Sequence, residues 1–122
     1  MGLTWDEMCA ATGAHLHSGK IAGTAVIPQI TTDTRKISDG DLFIALRGEN
    51  FDGADFAADA LAKGAAAVLV AEPISTDVQK ALKKVKGAVL TVKDTLAAYQ
   101  AIAHAWRMKF DIPVVAITGS NG

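Results

Sequence analysis

The sequence has a single cysteine, Cys9, among its 122 residues. One cysteine cannot form a disulfide within the chain, which is typical of proteins from a reducing compartment such as the cytoplasm. The chain also lacks an excess of either charge, because 12 basic residues face 13 acidic ones and the formal net charge is -1. Without a basic excess, binding to nucleic acid or to an anionic membrane surface is not expected.

Long hydrophobic runs are absent as well. Every apolar stretch is interrupted well short of the roughly 18 residues that a membrane-spanning helix needs. The N-terminus lacks the basic-then-apolar order of a secretory signal. Half of the residues are nevertheless hydrophobic and 20% are charged, a composition that excludes a disordered chain. We therefore expect a soluble cytoplasmic protein, and its length is typical of one compact domain.

Helix and strand signals alternate along the chain. Thr4 and Glu7 form a capping-box pattern that predicts a first helix, ended by Gly13. Short strands are predicted within 14–28 and over 30–32, then strands over 42–46, 66–70, 88–92 and 114–118, with helices over 54–63, 75–86 and 95–109 between them. In the helix over 54–63, the apolar face is expected to hold Phe56, Ala60 and Leu61. This alternation predicts an α/β domain of three layers, with a largely parallel or mixed sheet covered by helices.

Two polar segments follow predicted strands of this sheet. The first is Thr32-Asp33-Thr34-Arg35-Lys36, and the second is 48–53. Ligands of open α/β sheets bind at the carboxyl ends of the strands, where both segments would lie. Thr34 and Arg35 offer a hydroxyl and a guanidinium suited to a diphosphate, and Asn50 and Phe51 offer an amide and a ring face suited to a pyrimidine. The alternative is that both segments are ordinary polar turns.

The last residues follow the predicted strand over 114–118 and read Gly119-Ser120-Asn121-Gly122. A buried strand followed by glycines is typical of the start of a phosphate-binding loop. The lysine and hydroxyl residue that complete such a loop are not among these 122 residues. Two interpretations therefore remain open: the first half of a phosphate loop, in a chain cut from a longer protein, or an ordinary turn after a strand.

The chain resembles the first domain of the Mur ligase family in four segments, 32–36, 39–48, 52–56 and 117–122. The resemblance covers nearly the whole chain. It is strongest toward the member that adds D-alanyl-D-alanine to UDP-N-acetylmuramoyl-tripeptide in peptidoglycan synthesis. Alternatives are the related member that adds the third residue of the stem peptide, and a stand-alone module that binds nucleotide sugars. On this resemblance, 1–112 is a domain that binds the UDP-linked precursor, and 113–122 begins a central ATP-binding domain.

The resemblance also implies roles for individual residues. Thr32, Thr34 and Arg35 match the segment that lies beside the uridine and the diphosphate. Glu49, Asn50 and Phe51 match the loop at the uracil end, and Gly119, Ser120, Asn121 and Gly122 match the first half of the ATP loop. ATP and Mg²⁺ are then expected for the full-length enzyme, which is expected to be monomeric. No catalytic residue and no metal ligand is expected within these 122 residues, so the chain alone should ligate nothing.

Overall fold

The structure, a computed structural model, describes residues 2–47 and 52–118, with 110–118 as backbone alone. Its helices are α1 (Trp5–Thr12), α2 (Ala57–Ala62), α3 (Thr76–Leu82) and α4 (Thr95–Thr118), and its strands are β1 (His15–Ser18), β2 (Ile30–Thr31), β3 (Leu42–Ile44), β4 (Ala67–Ala71) and β5 (Ala88–Val92). Two short 3-10 helices, Thr34–Lys36 and Gly53–Phe56, follow β2 and precede α2.

The strands form one mixed sheet in the order β1-β5-β4-β3-β2. Strands β2 to β5 run parallel, and β1 adds an antiparallel edge beside β5. Helices α1 and α4 cover one face of this sheet, and α2 and α3 cover the other. The three-layer α/β architecture predicted from the alternating elements is therefore confirmed.

Strand side chains alternate between two separate apolar cores. Leu42 and Ile44 of β3 pack into the core beneath α1 and α4, whereas Phe43 packs into the core beneath α2 and α3. The central strands β4 and β5 are buried along their whole length. Burial on both faces explains why these strands, which are apolar except for Thr91, show no alternation of apolar and polar residues.

The start of the chain folds as its capping signal predicts. The Thr4 hydroxyl accepts from the Glu7 amide at 3.1 Å, and the Glu7 carboxylate accepts from the Thr4 amide at 2.9 Å. Gly13 ends α1 in the left-handed conformation, at φ 73°. Lys109 of α4 contacts the same carboxylate, with Nζ 2.7 Å from Glu7 Oε1, and so joins α4 to the beginning of α1.

Three expected elements differ in the structure. The helix predicted over 54–63 begins instead as a 3-10 turn, which leaves the Phe56 side chain 48% exposed and makes its placement on the buried face wrong. Ala57 joins Ala60 and Leu61 on that face instead. Helix α3 is shorter than the predicted 75–86: after Leu82, the amides of Lys84 and Val85 donate to carbonyls three residues back rather than four.

The third difference concerns the end of the chain. The strand predicted over 114–118 is wrong, since α4 continues through Pro113 to Thr118. A strand needs a neighbouring strand for its backbone hydrogen bonds, and the sheet in the described ranges ends at β1 and β2 without pairing to this segment. A helix bonds its backbone groups within its own segment and needs no such neighbour.

Candidate functional site

The carboxyl ends of β2 and β3 bring two polar segments together. The strands are parallel neighbours, with Thr31 opposite Phe43, so the residues that follow each strand emerge at the same edge of the sheet. A cavity of about 550 Å³ lies at this edge. Its lining consists of Thr32, Asp33, Thr34, Arg35, Phe43, Leu46, Gly53 and Phe56. One cavity thus brings together three residues that were singled out from the sequence, Thr32, Thr34 and Arg35.

Hydrogen bonds within the turn fix the segment after β2. The Thr31 hydroxyl accepts from the Asp33 amide at 3.1 Å. Asp33 in turn caps the 3-10 helix Thr34–Lys36, since its Oδ1 accepts from the Arg35 amide at 2.9 Å. A side-chain oxygen in this role satisfies an amide that has no helical partner. The turn that carries Thr34 and Arg35 is therefore ordered by its own side chains.

Arg35 folds back onto Asp33 in a bidentate ion pair. Nε lies 3.1 Å from Oδ1, and Nη2 lies 2.9 Å from Oδ2. The side-chain hydrogen bonds from Arg35, followed by its backbone amide, lower the pKa of the Asp33 carboxyl to about 2. The same hydrogen bonds raise the pKa of the Arg35 guanidinium. Because the guanidinium has five donors, the contact with Asp33 leaves others for an anionic ligand.

Contacts from more distant segments hold this turn in place. Asp41 is 1% exposed and accepts from the Ser38 amide at 2.8 Å and from Gln29 Nε2 at 3.1 Å. Lys63, at the end of α2, donates from Nζ to the Thr34 carbonyl at 3.3 Å. The sequence assigned no role to the side chains of Gln29, Asp41 or Lys63, although Asp41 lies within the segment 39–48 that carries the family resemblance. Asp41 lies directly before a buried strand, which is the only local signal that marks it.

The loop after β3 is closed at its base. Arg47 and Asp52 form an antiparallel bridge, and Arg47 Nε lies 3.3 Å from Asp52 Oδ2. The Gly53 amide donates to the Leu46 carbonyl at 2.7 Å. Glu49, Asn50 and Phe51, which were predicted to contact the uracil end of a nucleotide, lie outside the described residues. So does the predicted ATP loop, Gly119, Ser120, Asn121 and Gly122.

The arrangement combines hydrogen-bond donors at one edge with apolar side chains. Arg35 and the Thr34 hydroxyl supply donors, whereas Phe56 supplies exposed ring surface and the buried Phe43 closes the floor of the cavity. A cavity of this volume falls within the range of about 300–1,000 Å³ that is usual for small-molecule sites. No cluster of three or more metal-binding side chains occurs among residues 2–47 and 52–118. In these same ranges, no helix is long and apolar enough to cross a bilayer.

The chain matches the model of the Mur ligase family, catalytic domain, over residues 26–107. It is 48% identical over 96 residues to the UDP-N-acetylmuramoyl-tripeptide–D-alanyl-D-alanine ligase of Synechocystis sp., covering 79% of this chain and 20% of that protein. The Escherichia coli ligase of the same name is 42% identical over 106 residues, covering 86% of this chain and 22% of that protein.

A related ligase and a solved structure extend this comparison. The UDP-N-acetylmuramoyl-L-alanyl-D-glutamate–2,6-diaminopimelate ligase of Caulobacter vibrioides is 39% identical over 107 residues, covering 88% of this chain and 21% of that protein. A crystal structure of MurF from Acinetobacter baumannii superposes with a TM-score of 0.72 at 30% identity, covering 89% of this chain and 22% of that one. The chain therefore spans about a fifth of the length of these relatives.

Proposed function

This chain belongs to the Mur ligase family, and we propose that it is the first domain of a longer enzyme that joins D-alanyl-D-alanine to UDP-N-acetylmuramoyl-tripeptide. Its cavity at the ends of β2 and β3 holds the UDP end of that substrate. The observation that carries the proposal is the ordered turn at this cavity, with Arg35 and Thr34 beside the exposed ring of Phe56. Similarity to ligases that are named for UDP-linked substrates supports the same conclusion.

Each side chain at the cavity has a distinct part in this function. Arg35 and the hydroxyls of Thr32 and Thr34 donate to the diphosphate, which carries its charge on oxygen acceptors. The exposed ring of Phe56 excludes water on one side of the nucleotide, above the floor that the buried Phe43 closes. The domain thereby contributes positioning and binding energy that are remote from the reacting carboxylate.

The predicted loop at 48–51 extends this site. In the proposed function, Glu49 and Asn50 bind the uracil edge, and Phe51 covers the ring. The bridge between Arg47 and Asp52 supports this assignment, because it closes the base of the loop next to the cavity.

The chemical step takes place outside this domain. A central domain that follows α4 and begins with the loop Gly119–Gly122 would hold ATP and Mg²⁺, and ATP would supply the phosphoryl group that activates the terminal carboxylate of the precursor. The amine of D-alanyl-D-alanine then attacks the activated carbonyl, and phosphate leaves. We place the enzyme, as a monomer, in the cytoplasm, where ATP and UDP-linked precursors are found together.

A specific observation favours one alternative function. Diaminopimelate-adding ligases are also similar to this chain, at 39% identity for the Caulobacter vibrioides protein. The cavity described here would hold the UDP end of either precursor. The alternative is therefore a full-length enzyme that adds the third residue of the stem peptide.

An acceptor-exchange assay on the full-length polypeptide from the same gene tests the proposal. UDP-N-acetylmuramoyl-tripeptide with D-alanyl-D-alanine, and UDP-N-acetylmuramoyl-dipeptide with diaminopimelate, are each supplied with ATP and Mg²⁺. Phosphate release and product mass are then measured. We expect product only from the first pair, and product only from the second pair would establish the alternative. The 122-residue chain should give product from neither.

A further inference from the structure

The chain leaves the two central strands toward opposite faces of the sheet. After β4 it enters α3, which packs into the core shared with α2, whereas after β5 it enters α4, which packs into the core shared with α1. The two strands are parallel neighbours, so both carboxyl ends lie at the same edge of the sheet. Connections that diverge in this way leave a crevice between the strand ends, and ligands of open α/β sheets bind in such crevices.

Two cavities occupy this crevice. One of about 590 Å³ lies against α3, and one of about 480 Å³ lies against α4. Glu72, which follows β4, and Lys93, which follows β5, line both of them. The lining of the larger cavity also includes His17, Ile74, Gln79 and Thr91. None of these residues lines the cavity at β2 and β3, so the two places are distinct.

The larger cavity contains a buried hydroxyl that has no protein partner. Thr91 is 6% exposed, yet within the part of the chain that the structure describes its hydroxyl takes part in no hydrogen bond. Every fully enclosed side-chain oxygen or nitrogen of the described residues does have a partner. The Thr91 hydroxyl is therefore not fully enclosed, and its open side faces the cavity. A ligand that bonds this hydroxyl removes the cost of leaving it unpaired.

Two opposite charges lie at the same cavity without pairing. Glu72 and Lys93 are both exposed, and neither forms an ion pair with another residue of the ranges 2–47 and 52–109. Gln79 Nε2 donates to the Ile74 carbonyl at 2.9 Å, which leaves Gln79 Oε1 as an acceptor. The cavity thus combines donors at Lys93 and Thr91 with acceptors at Glu72 and Gln79. This combination is complementary to a ligand that carries one charge of each sign.

We propose that the crevice between the ends of β4 and β5 binds a small zwitterion of dipeptide size. Its carboxylate accepts from Lys93 and from the Thr91 hydroxyl. Its ammonium group donates to Glu72 and to Gln79 Oε1, and Ile74 supplies apolar surface for a side chain. In the proposed function the acceptor reacts outside this domain, so the crevice is a second site and not the place of reaction.

A series of alanylalanine derivatives tests the two charges separately. The 122-residue chain is titrated with the L,L and D,D isomers, with their N-acetyl derivatives, with their C-terminal amides and with inorganic phosphate. Amide NMR spectra measure the affinities. We expect shifts at residues 72–74 and 91–93 with at least one isomer. The N-acetyl derivative and the amide of that isomer should each bind about fivefold more weakly, since each lacks one charge.

Variants assign the two ends of the ligand. Lys93→Met should weaken alanylalanine about fivefold but leave the amide unaffected, because the amide has no carboxylate for Lys93 to bind. Glu72→Gln should weaken alanylalanine and leave the N-acetyl derivative unaffected. Thr91→Val keeps the shape of the side chain and should weaken alanylalanine about threefold. Lys80→Met is the control, since Lys80 is exposed on α3 but lines neither cavity.

Three results would overturn the inference. The first is the absence of shifts at 72–74 and 91–93 with both isomers at millimolar concentration. The second is equal affinity for alanylalanine and for phosphate or the N-acetyl derivative, which would show a site for simple anions. The third is an equal loss of affinity in Lys80→Met and Lys93→Met. UDP added to the same samples keeps the proposals distinct, because its shifts are expected at 32–36 and not at 91–93.

Discussion

The guanidinium of Arg35 lies in a bidentate contact with the carboxylate of Asp33, two residues earlier, with Nη2 2.9 Å from Oδ2. The same carboxylate caps the 3-10 turn through the Arg35 amide. Asp33 therefore orients both the backbone and the side chain of the residue that we assign to the diphosphate. The Arg35 side chain is 84% exposed, so a ligand can reach its remaining donors directly from solvent.

The ionisation of Asp33 should report this contact directly. Its pKa is lowered to about 2, so the stabilisation that its charged form provides is present above about pH 4 and is lost as the pH falls through about 2. Arg35→Ala should raise the pKa toward the ordinary value for aspartate. Carboxyl carbon chemical shifts followed from pH 6 to pH 1.5 measure the midpoint in both proteins. An unchanged midpoint in the variant would show that Arg35 is not the cause.

Arg35→Lys should weaken UDP binding about tenfold, because lysine keeps the charge but cannot donate in the planar bidentate geometry. Calorimetric titrations with UDP and with uridine measure the change. Only the UDP affinity should fall, since uridine has no diphosphate. Lys84→Met removes a cation from the exposed end of the α3 region and serves as the control. An equal loss for uridine would assign Arg35 to the nucleoside rather than to the phosphates.

Gly53→Ala should destabilise the base of the cavity. A Cβ at this position would lie 2.6 Å from the Leu46 carbonyl oxygen and 2.8 Å from the Leu46 nitrogen, and both are backbone atoms that cannot move aside freely. We expect the free energy of unfolding to fall by about 1–3 kcal/mol, as for other overpacked sites. Urea denaturation measures this change.

Gly13→Ala is the comparison for that experiment. No atom lies within 4 Å of a Cβ built on Gly13, and only its φ of 73° opposes a side chain. Its cost should be about 1 kcal/mol, from backbone conformation alone. If Gly53→Ala costs no more than that, the close approach of Leu46 is not rigid.

Thr4→Ala should remove half of the capping box of α1 and lower the free energy of unfolding by about 1 kcal/mol. Thermal denaturation with circular dichroism measures the change. Thr24→Ala, in an exposed turn, is the matched control and should leave the transition unchanged. Equal transitions for the two variants would mean that the cap contributes nothing to the fold.

Local signals were sufficient for much of the fold. Thr4 and Glu7 predicted the first helix because a capping box depends only on residues three apart. The strand predicted over 88–92, which is apolar except for Thr91, matches β5 residue for residue. The segment 114–118 shows where such signals fail: an apolar, β-branched run is compatible with strand or helix, and the choice depends on whether a neighbouring strand is available.

The site could be predicted only in part, because some of its contacts join residues that are far apart in the sequence. Thr32, Thr34 and Arg35 are close in sequence and follow a strand, so their common location at the sheet edge was predictable. Lys63 reaches the Thr34 carbonyl from 29 residues away, and no spacing rule links the two. Phe56 was assigned to the core from helical periodicity, but the 3-10 turn rotates it to the cavity.

An amide NMR titration of the 122-residue chain with UDP tests the central claim most directly. We predict chemical shift changes concentrated at residues 32–36 and 48–56, saturating with ligand and reduced in Arg35→Lys. The amide signals of α3 should not shift, since none of its residues lines the cavity. The absence of shifts at millimolar UDP, or shifts confined to another part of the sheet, would contradict the assignment of this cavity to the UDP end of the precursor.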